Sequence, residues 1–190
     1  MLADHNIQTK PFYSSNDTLR RATTRKISIL SISSFALVAY IALMLRTDSS
    51  HKDFIALVKL LDADLAARDG EDHAFYASFN SIEALKHVLV VYDNDKPIAC
   101  GAMKPFGEDA IEIKRMYVVQ YFRGTGMATA VLQELETWAR DLGFAKCILE
   151  TGRRQPEAVA LYRKNGYLMM DNYGPYAEVE NSVCFAKSLD

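Results

Sequence analysis

The period of apolar and polar positions changes several times along this chain, and each change marks an element. Residues 41–46 are almost wholly apolar, as expected of a buried strand. Phe54, Leu57, Val58, Leu61 and Leu65 then recur at helical spacing, with Ser50 and Asp53 as a candidate capping box, and this helix should end near Gly70. A loop over 69–73 and a short turn precede a brief helix expected over 81–86. Residues 87–92 and 97–103 are strand-like, and the polar tetrad Asp93-Asn-Asp-Lys96 between them predicts a tight antiparallel hairpin. Phe106 to Asp109 turn the chain into the next strand.

That strand has an irregular pattern. Ile111 and Ile113 alternate, but the next apolar pair is Met116 and Val118, so the period of two slips by one residue between Lys114 and Arg115. A β-bulge accounts for the slip. A helix follows over 126–142, with Met127, Val131, Leu135, Trp138 and Leu142 on one face, and then a buried strand over 144–150. Strand, helix and strand at this length predict a right-handed parallel crossover. The last helix, 155–164, closes on Asn165-Gly166. Strands over 167–170 and 182–187 flank a loop holding Tyr173, Gly174, Pro175 and Tyr176. The class is α/β (α+β), without internal repeats.

Bulk properties narrow the function. The chain has 190 residues, 49% hydrophobic and 24% charged, enough for one domain with a proper core. A formal charge of -2 leaves no basic footprint for nucleic acid. Cys100, Cys147 and Cys184 each lie among apolar neighbours in a predicted strand, so they are expected to be reduced core thiols of a cytoplasmic protein. The four histidines show no metal-ligand spacing, and no metal is implied.

The chemistry concentrates between residues 112 and 128. Arg123, Gly124, Thr125 and Gly126 join a strand to the start of a helix. Backbone N–H groups there lack intrahelical partners and carry little side-chain bulk, which makes the turn a phosphate cradle. The bulge upstream leaves strand amides for a ligand that has amides of its own. Phosphates at the turn and amides along the strand together describe coenzyme A. A dinucleotide site is the rival reading, since Gly124-Thr-Gly126 also opens that fingerprint and Glu150 ends the next strand. Against it, Thr129 replaces the third glycine and the preceding hairpin is antiparallel.

On these residues the chain resembles the GNAT superfamily of acyl-CoA-dependent N-acyltransferases. The acetyl-CoA motif of that family, Arg or Gln, two residues, Gly, one residue, then Gly or Ala, is matched by Arg123, Gly126 and Ala128. A second block, from Glu150 through Gln155, Ala158 and Tyr162 to Tyr167, resembles the next helix of the family and its exit. The resemblance spans about residues 41–188. It implies a mixed central sheet of six to seven strands with a parallel strand-helix-strand core and flanking helices. It also implies that Arg123, Gly124, Thr125, Gly126, Met127 and Ala128 hold the diphosphate, and that Met116, Tyr117 and Val118 pair with pantetheine. Gln155 and Ala158 complete the coenzyme wall. Tyr162 matches the tyrosine that protonates the leaving thiolate. Glu112 matches a carboxylate that serves some relatives as base, although a pairing with Lys114 or a solvent-facing position is the plainer reading. Gln120 stands where the family often has Pro, and Gln155 where Asn is commoner. Arg153 and Arg154 either reach the adenosine phosphates or form a solvated surface.

The implied reaction is transfer of acetyl from acetyl-CoA to a primary amine on a small molecule or peptide. A non-catalytic acyl-CoA sensor of the same fold is the alternative, and a homodimer is possible in either case. The acceptor cleft would draw on Asp69, Glu71, Asp72, His73 and Tyr76 on one side and Tyr173 and Tyr176 on the other, a set suited to a cationic or amino-acid-like amine. Residues 1–40 are expected to be an extension to a domain over 41–190, and an artefact of start-codon choice is the cheapest account. Residues 27–45 carry no charge and meet the length of a membrane span. An anchor there would send the domain away from CoA, and it would consume the first strand.

Overall fold

The computed structural model describes residues 43–69, 81–83 and 85–189. Seven strands form one sheet in the order β1-β2-β3-β4-β5-β7-β6. They are β1 (Leu43–Thr47), β2 (His87–Asp93), β3 (Lys96–Phe106), β4 (Ala110–Val118), β5 (Lys146–Gly152), β6 (Leu168–Met170) and β7 (Ser182–Ser188), with helices α1 (Lys52–Asp69), α2 (Met127–Asp141) and α3 (Pro156–Lys164). Among the described residues only the β4–β5 ladder is parallel. The expected mixed sheet with a parallel β4-α2-β5 core is present.

Alternation divides the core in two. Leu89 and Val91 of β2 face the cluster built on Val131, Leu132 and Leu135 of α2 and Tyr162 of α3. Val88 and Val90 of the same strand face Phe54, Leu57 and Val58 of α1. The sheet is therefore covered by α1 on one side and by α2 and α3 on the other. The β2–β3 hairpin closes through Asn94 and Asp95, both at positive φ (44° and 65°), as a two-residue turn matching strand twist requires. Cys100, Cys147 and Cys184 are buried and free. Burial pushes the thiols up to about 12, 12 and 11 respectively.

Several local expectations change. The first strand begins at Leu43, so residues 43–45 of the apolar 27–45 stretch are strand, paired with Val90, Val91 and Tyr92. Residues 27–42 lie outside the described residues. Ser50 and Asp53 form no capping box. The Ser50 amide and hydroxyl both donate to Asp48 Oδ1 (2.9 and 2.5 Å), the Asp53 amide donates to His51 Nδ1 (3.3 Å), and Tyr92 donates to Asp53 Oδ2 (2.9 Å). The brief helix expected over 81–86 is a turn among the described residues. Ser81 Oγ accepts the Glu83 amide, and the Leu85 carbonyl accepts the Ser49 amide, so the chain is committed to β2 before a helix can propagate. Among the described residues no helix is long and apolar enough to cross a membrane.

Candidate functional site

The site begins where two strands part. Parallel pairing of β4 with β5 covers only Ala110↔Lys146, Ile111↔Cys147 and Glu112↔Ile148. On the other edge of β4, Cys100 pairs with Tyr117 while Ala102 pairs with Lys114, so Arg115 and Met116 both stand opposite Gly101. This is the bulge that the slipped period predicts. Arg115 takes φ 56°, a left-handed conformation costing of order 1–3 kcal/mol for a residue with Cβ. The neighbourhood holds it there: its guanidinium is buried and paired with Asp62 of α1, and its carbonyl accepts the Cys100 thiol at 3.5 Å. Gly101 lets the bulge seat under α2, because a Cβ there would lie 2.7 Å from Leu135 Cδ1 and 2.9 Å from Met116 Sδ.

The parted strands enclose a cleft of about 540 Å³. Met116, Tyr117 and Val118 line one wall, and Glu150, Thr151 and Gly152 the other. With the β4–β5 ladder ended at Glu112, the backbone of 116–118 that faces β5 is open to a ligand.

At the far end of β4 a 3-10 turn, Gln120–Phe122, leads into Arg123 and the glycines. Gln120 supports the turn as Pro would, with the Phe122 amide donating to Val119 O (2.9 Å) and the Arg123 amide to Gln120 O (3.2 Å). Gly124 and Gly126 take φ 77° and 90°, and a Cβ on either would meet nothing within 4 Å. Gly126 is the N-cap of α2, without a side-chain cap. Among the described residues, the amides of Gly124, Thr125 and Gly126 donate to no backbone carbonyl. Uncapped N–H groups at the positive end of a helix dipole suit a phosphate.

Two members of the motif act differently from their neighbours. The Thr125 hydroxyl turns back to Phe122 O at 2.7 Å, and Thr125 does not line the cleft. Arg123 Nε donates to Val118 O (2.9 Å), its Nη2 meets Asp64 Oδ2 of α1 at 2.5 Å, and its guanidinium lies 5.4 Å from the Tyr117 ring. The bond to Asp64 raises the Arg123 pKa above its ordinary value.

α3 forms the cleft's third side. Gln155 is its N-cap and lines the cleft with Ala158 and Tyr162. Tyr162 is 6% exposed, with its ring 5.7 Å from Tyr167 and 6.0 Å from Phe185. Burial first, and the Glu150 charge second, push its phenol above the ordinary range, so it stays protonated. On the α1 face, Glu112 Oε1 accepts Lys114 Nζ (3.2 Å) and the Tyr173 hydroxyl (3.1 Å). Lys114 Nζ also lies 3.4 Å from the Tyr176 hydroxyl and 5.9 Å from its ring. Glu112 thus faces the interior and pairs with Lys114 instead of standing in solvent.

Tyr176 lines the cleft, and Tyr173 reaches Glu112 at its margin without lining it. Of the opposite group, the Asp69 side chain and Glu71, Asp72, His73 and Tyr76 lie outside the described residues. Arg153 is drawn away, with its amide bonded to Asn181 O (2.7 Å) and its Nε to Glu180 O (2.8 Å). Neither Arg153 nor Arg154 lines the cleft. The contribution of α1 went unread in the sequence: Leu61, Asp64, Leu65 and Arg68, a stripe at helical spacing, line the cleft, and Arg68 pairs across it with Glu157 of α3.

Known proteins share this fold. The model of the acetyltransferase (GNAT) family matches residues 54–167. An IAA acetyltransferase of Azospirillum brasilense is 34% identical over 102 residues, 53% of this chain and 67% of that protein. Alignments with N-acetyltransferases of rat and mouse span 30% and 28% of their lengths. A crystal structure of a proposed acyl-CoA N-acyltransferase from Klebsiella pneumoniae superposes with a TM-score of 0.67 at 27% identity, covering 80% of this chain and 99% of that one. The PaiA N-acetyltransferase of Thermoplasma acidophilum, solved in complex with coenzyme A, shares the fold at a TM-score of 0.59 and 15% identity, over 77% of this chain and 98% of that one. This chain belongs to the GNAT family of acetyltransferases.

Proposed function

We propose that this protein transfers an acetyl group from acetyl-CoA to a primary amine by direct attack of the amine on the thioester. One observation carries the reading: a single cleft runs from the uncapped amides of 124–126 along the open edge of 116–118 to the Tyr162 phenol. Those three features match the diphosphate, the pantetheine amides and the thioester of one extended molecule. The Thermoplasma neighbour, which shares the fold, was solved in complex with coenzyme A, in keeping with that ligand class here.

The backbone amides from Gly124 to Ala128 hold the diphosphate, and Met116 to Val118 accept pantetheine as an added strand, with Gln155 and Ala158 opposite. The thioester is already activated, so the protein's work is positioning and proton transfer. A thiolate of reference pKa about 8.5 leaves better when it is protonated, and the buried, protonated Tyr162 supplies that proton. An alkylamine of reference pKa about 10.4 costs roughly 4–5 kcal/mol to deprotonate at pH 7, so a proton acceptor is needed. Glu112 anchors Lys114 and Tyr173 at the root of the cleft. The Lys114 ammonium already fills the carboxylate and aromatic setting that a cationic acceptor would use, which leaves an amino-acid-like or peptide amine as the better fit. The reaction draws on acetyl-CoA, so the setting proposed for it is the cytoplasm, where that coenzyme is supplied.

The test is release of free CoA thiol by the full chain from acetyl-CoA with a panel of alkylamines, amino acids and peptides. Turnover with at least one amine, reduced in Tyr162→Phe, is the expected result. Tight acetyl-CoA binding without turnover on any amine would establish the sensor instead.

A further inference from the structure

The charges of the cleft leave one cation unused. Among the described residues, Arg68, Lys114, Arg115, Arg123 and Lys164 are the basic side chains that line it. Four of them are held by carboxylates: Arg68 by Glu157, Lys114 by Glu112, Arg115 by Asp62 and Arg123 by Asp64. Lys164 has no such partner among the described residues. Its surroundings explain why. One turn back on α3 stand Ala160 and Leu161, where a helical ion pair would need an acid, and the first turn of α2 holds no acidic residue.

The place of Lys164 matches the outer end of the coenzyme. α3 turns two stripes toward the cleft: Ala158 and Tyr162 form one, and Glu157, Ala160, Leu161 and Lys164 the other. Tyr162 is buried and Lys164 exposed, so the second stripe is the rim. Its C-terminal end meets the helix that carries the cradle. Asn165, next to Lys164, donates from Nδ2 to Thr129 Oγ1 in the first turn of α2 (3.4 Å), and Thr129 itself lines the cleft. The Lys164 ammonium is thus carried beside the phosphate cradle, on the side open to water, at a helix C-terminus whose dipole favours a cation.

We propose that Lys164 binds the 3′-phosphate of acetyl-CoA, so that the cleft distinguishes coenzyme A from its 3′-dephospho form. The assignment rests on the acetyl-CoA reading above and not on the identity of the amine. In that reading the diphosphate takes the amides of 124–128, which leaves the 3′-phosphate, a monoester of charge about −1.5 to −2 at pH 7, without a partner. Arg153 and Arg154, the sequence candidates for the adenosine phosphates, do not line the cleft. A lysine acts on a phosphate as a point charge and needs no fixed geometry, which suits an exposed side chain at the rim.

Calorimetric titration of the full chain with acetyl-CoA and with acetyl-3′-dephospho-CoA tests the assignment. The parent should bind acetyl-CoA about 3- to 10-fold more tightly at low salt, and the preference should shrink as salt is raised. Lys164→Gln should erase the preference, weakening acetyl-CoA by that factor and the dephospho form by less than about twofold. Lys164→Arg should keep it. Arg163→Gln is the control, because it removes the same charge from the same turn: Arg163 does not line the cleft, and its Nη2 lies against Met169 Sδ (3.0 Å). That variant should keep the preference as well. A preference that survives in Lys164→Gln, or is lost equally in Arg163→Gln, overturns the assignment. Equal weakening of both ligands by Lys164→Gln would place the ammonium on the diphosphate and overturns it too, as does a parent that binds both ligands equally. A parent that binds neither ligand brings down the acetyl-CoA reading itself, and this assignment with it.

Discussion

Placing a carboxylate on the cradle, by Gly126→Glu, separates anion binding from folding. A Cβ at Gly126 meets nothing within 4 Å, so the new side chain enters open space rather than the core. The backbone φ of 90° remains left-handed, which costs a residue with Cβ about 1–2 kcal/mol of stability. For a domain of this size that lowers Tm by roughly 2–8 °C and leaves a folded protein. Binding should suffer more. Two unit charges 4 Å apart repel by about 1 kcal/mol in bulk water and about 4 kcal/mol at an effective dielectric of 20. A value near 2 kcal/mol for a carboxylate at the half-exposed diphosphate weakens acetyl-CoA about 30-fold. Calorimetric titration of parent, Gly126→Ala and Gly126→Glu measures it. The alanine variant carries the backbone strain without the charge, and the deficit of the glutamate variant should shrink as salt is raised. A folded Gly126→Glu that binds acetyl-CoA within threefold of the parent would refute the cradle.

Other outcomes follow from the same geometry. Tyr162→Phe should lower kcat by about 10²-fold or more while leaving acetyl-CoA affinity nearly unchanged, since the hydroxyl acts on the leaving thiolate; stopped assays and calorimetry check both. Gly101→Ala forces Cβ to within 2.7 Å of Leu135 Cδ1 and 2.9 Å of Met116 Sδ, an overpacking worth about 1–3 kcal/mol, visible as a lowered Tm. Asp64→Asn removes the anion that holds Arg123 at 2.5 Å, so acetyl-CoA should bind about 3- to 10-fold more tightly at low salt, by loss of a competing charge. Cys100, Cys147 and Cys184 have thiols raised by burial to about 12, 12 and 11. The unfolded thiols ionise first, so this stability is complete below about pH 8.5 and declines as pH rises toward 11–12. Ellman titration of the native protein at pH 8 should be slow and become complete only on unfolding.

What could be read in advance was whatever local pattern dictates. The one-residue slip between Ile113 and Met116 announced the bulge, because a period of two cannot absorb an extra residue any other way. Gly124 and Gly126 before an apolar stripe announced the turn, and both take the positive φ that only glycine adopts without strain. Interactions between distant elements left no such mark. Nothing local ties Asp64 to Arg123, Arg68 to Glu157 or Glu150 to Ser182, because each pair is created by folding α1, α3 or β7 against the cleft. Ser50 and Asp53 suited a capping box, but Asp48 and His51 competed successfully for the same amides. The helix expected at 81–86 failed for a tertiary reason, since Leu85 is pinned in the α1 core and its carbonyl serves Ser49.

The most direct test of the account is a crystal structure with acetyl-CoA bound. The account predicts diphosphate oxygens within hydrogen-bond distance of the amides from Gly124 to Ala128, and pantetheine along Met116 to Val118. The thioester sulfur should lie within hydrogen-bond reach of the Tyr162 hydroxyl. Acetyl-CoA seated elsewhere, or in the cleft with its thioester turned away from Tyr162, would contradict it.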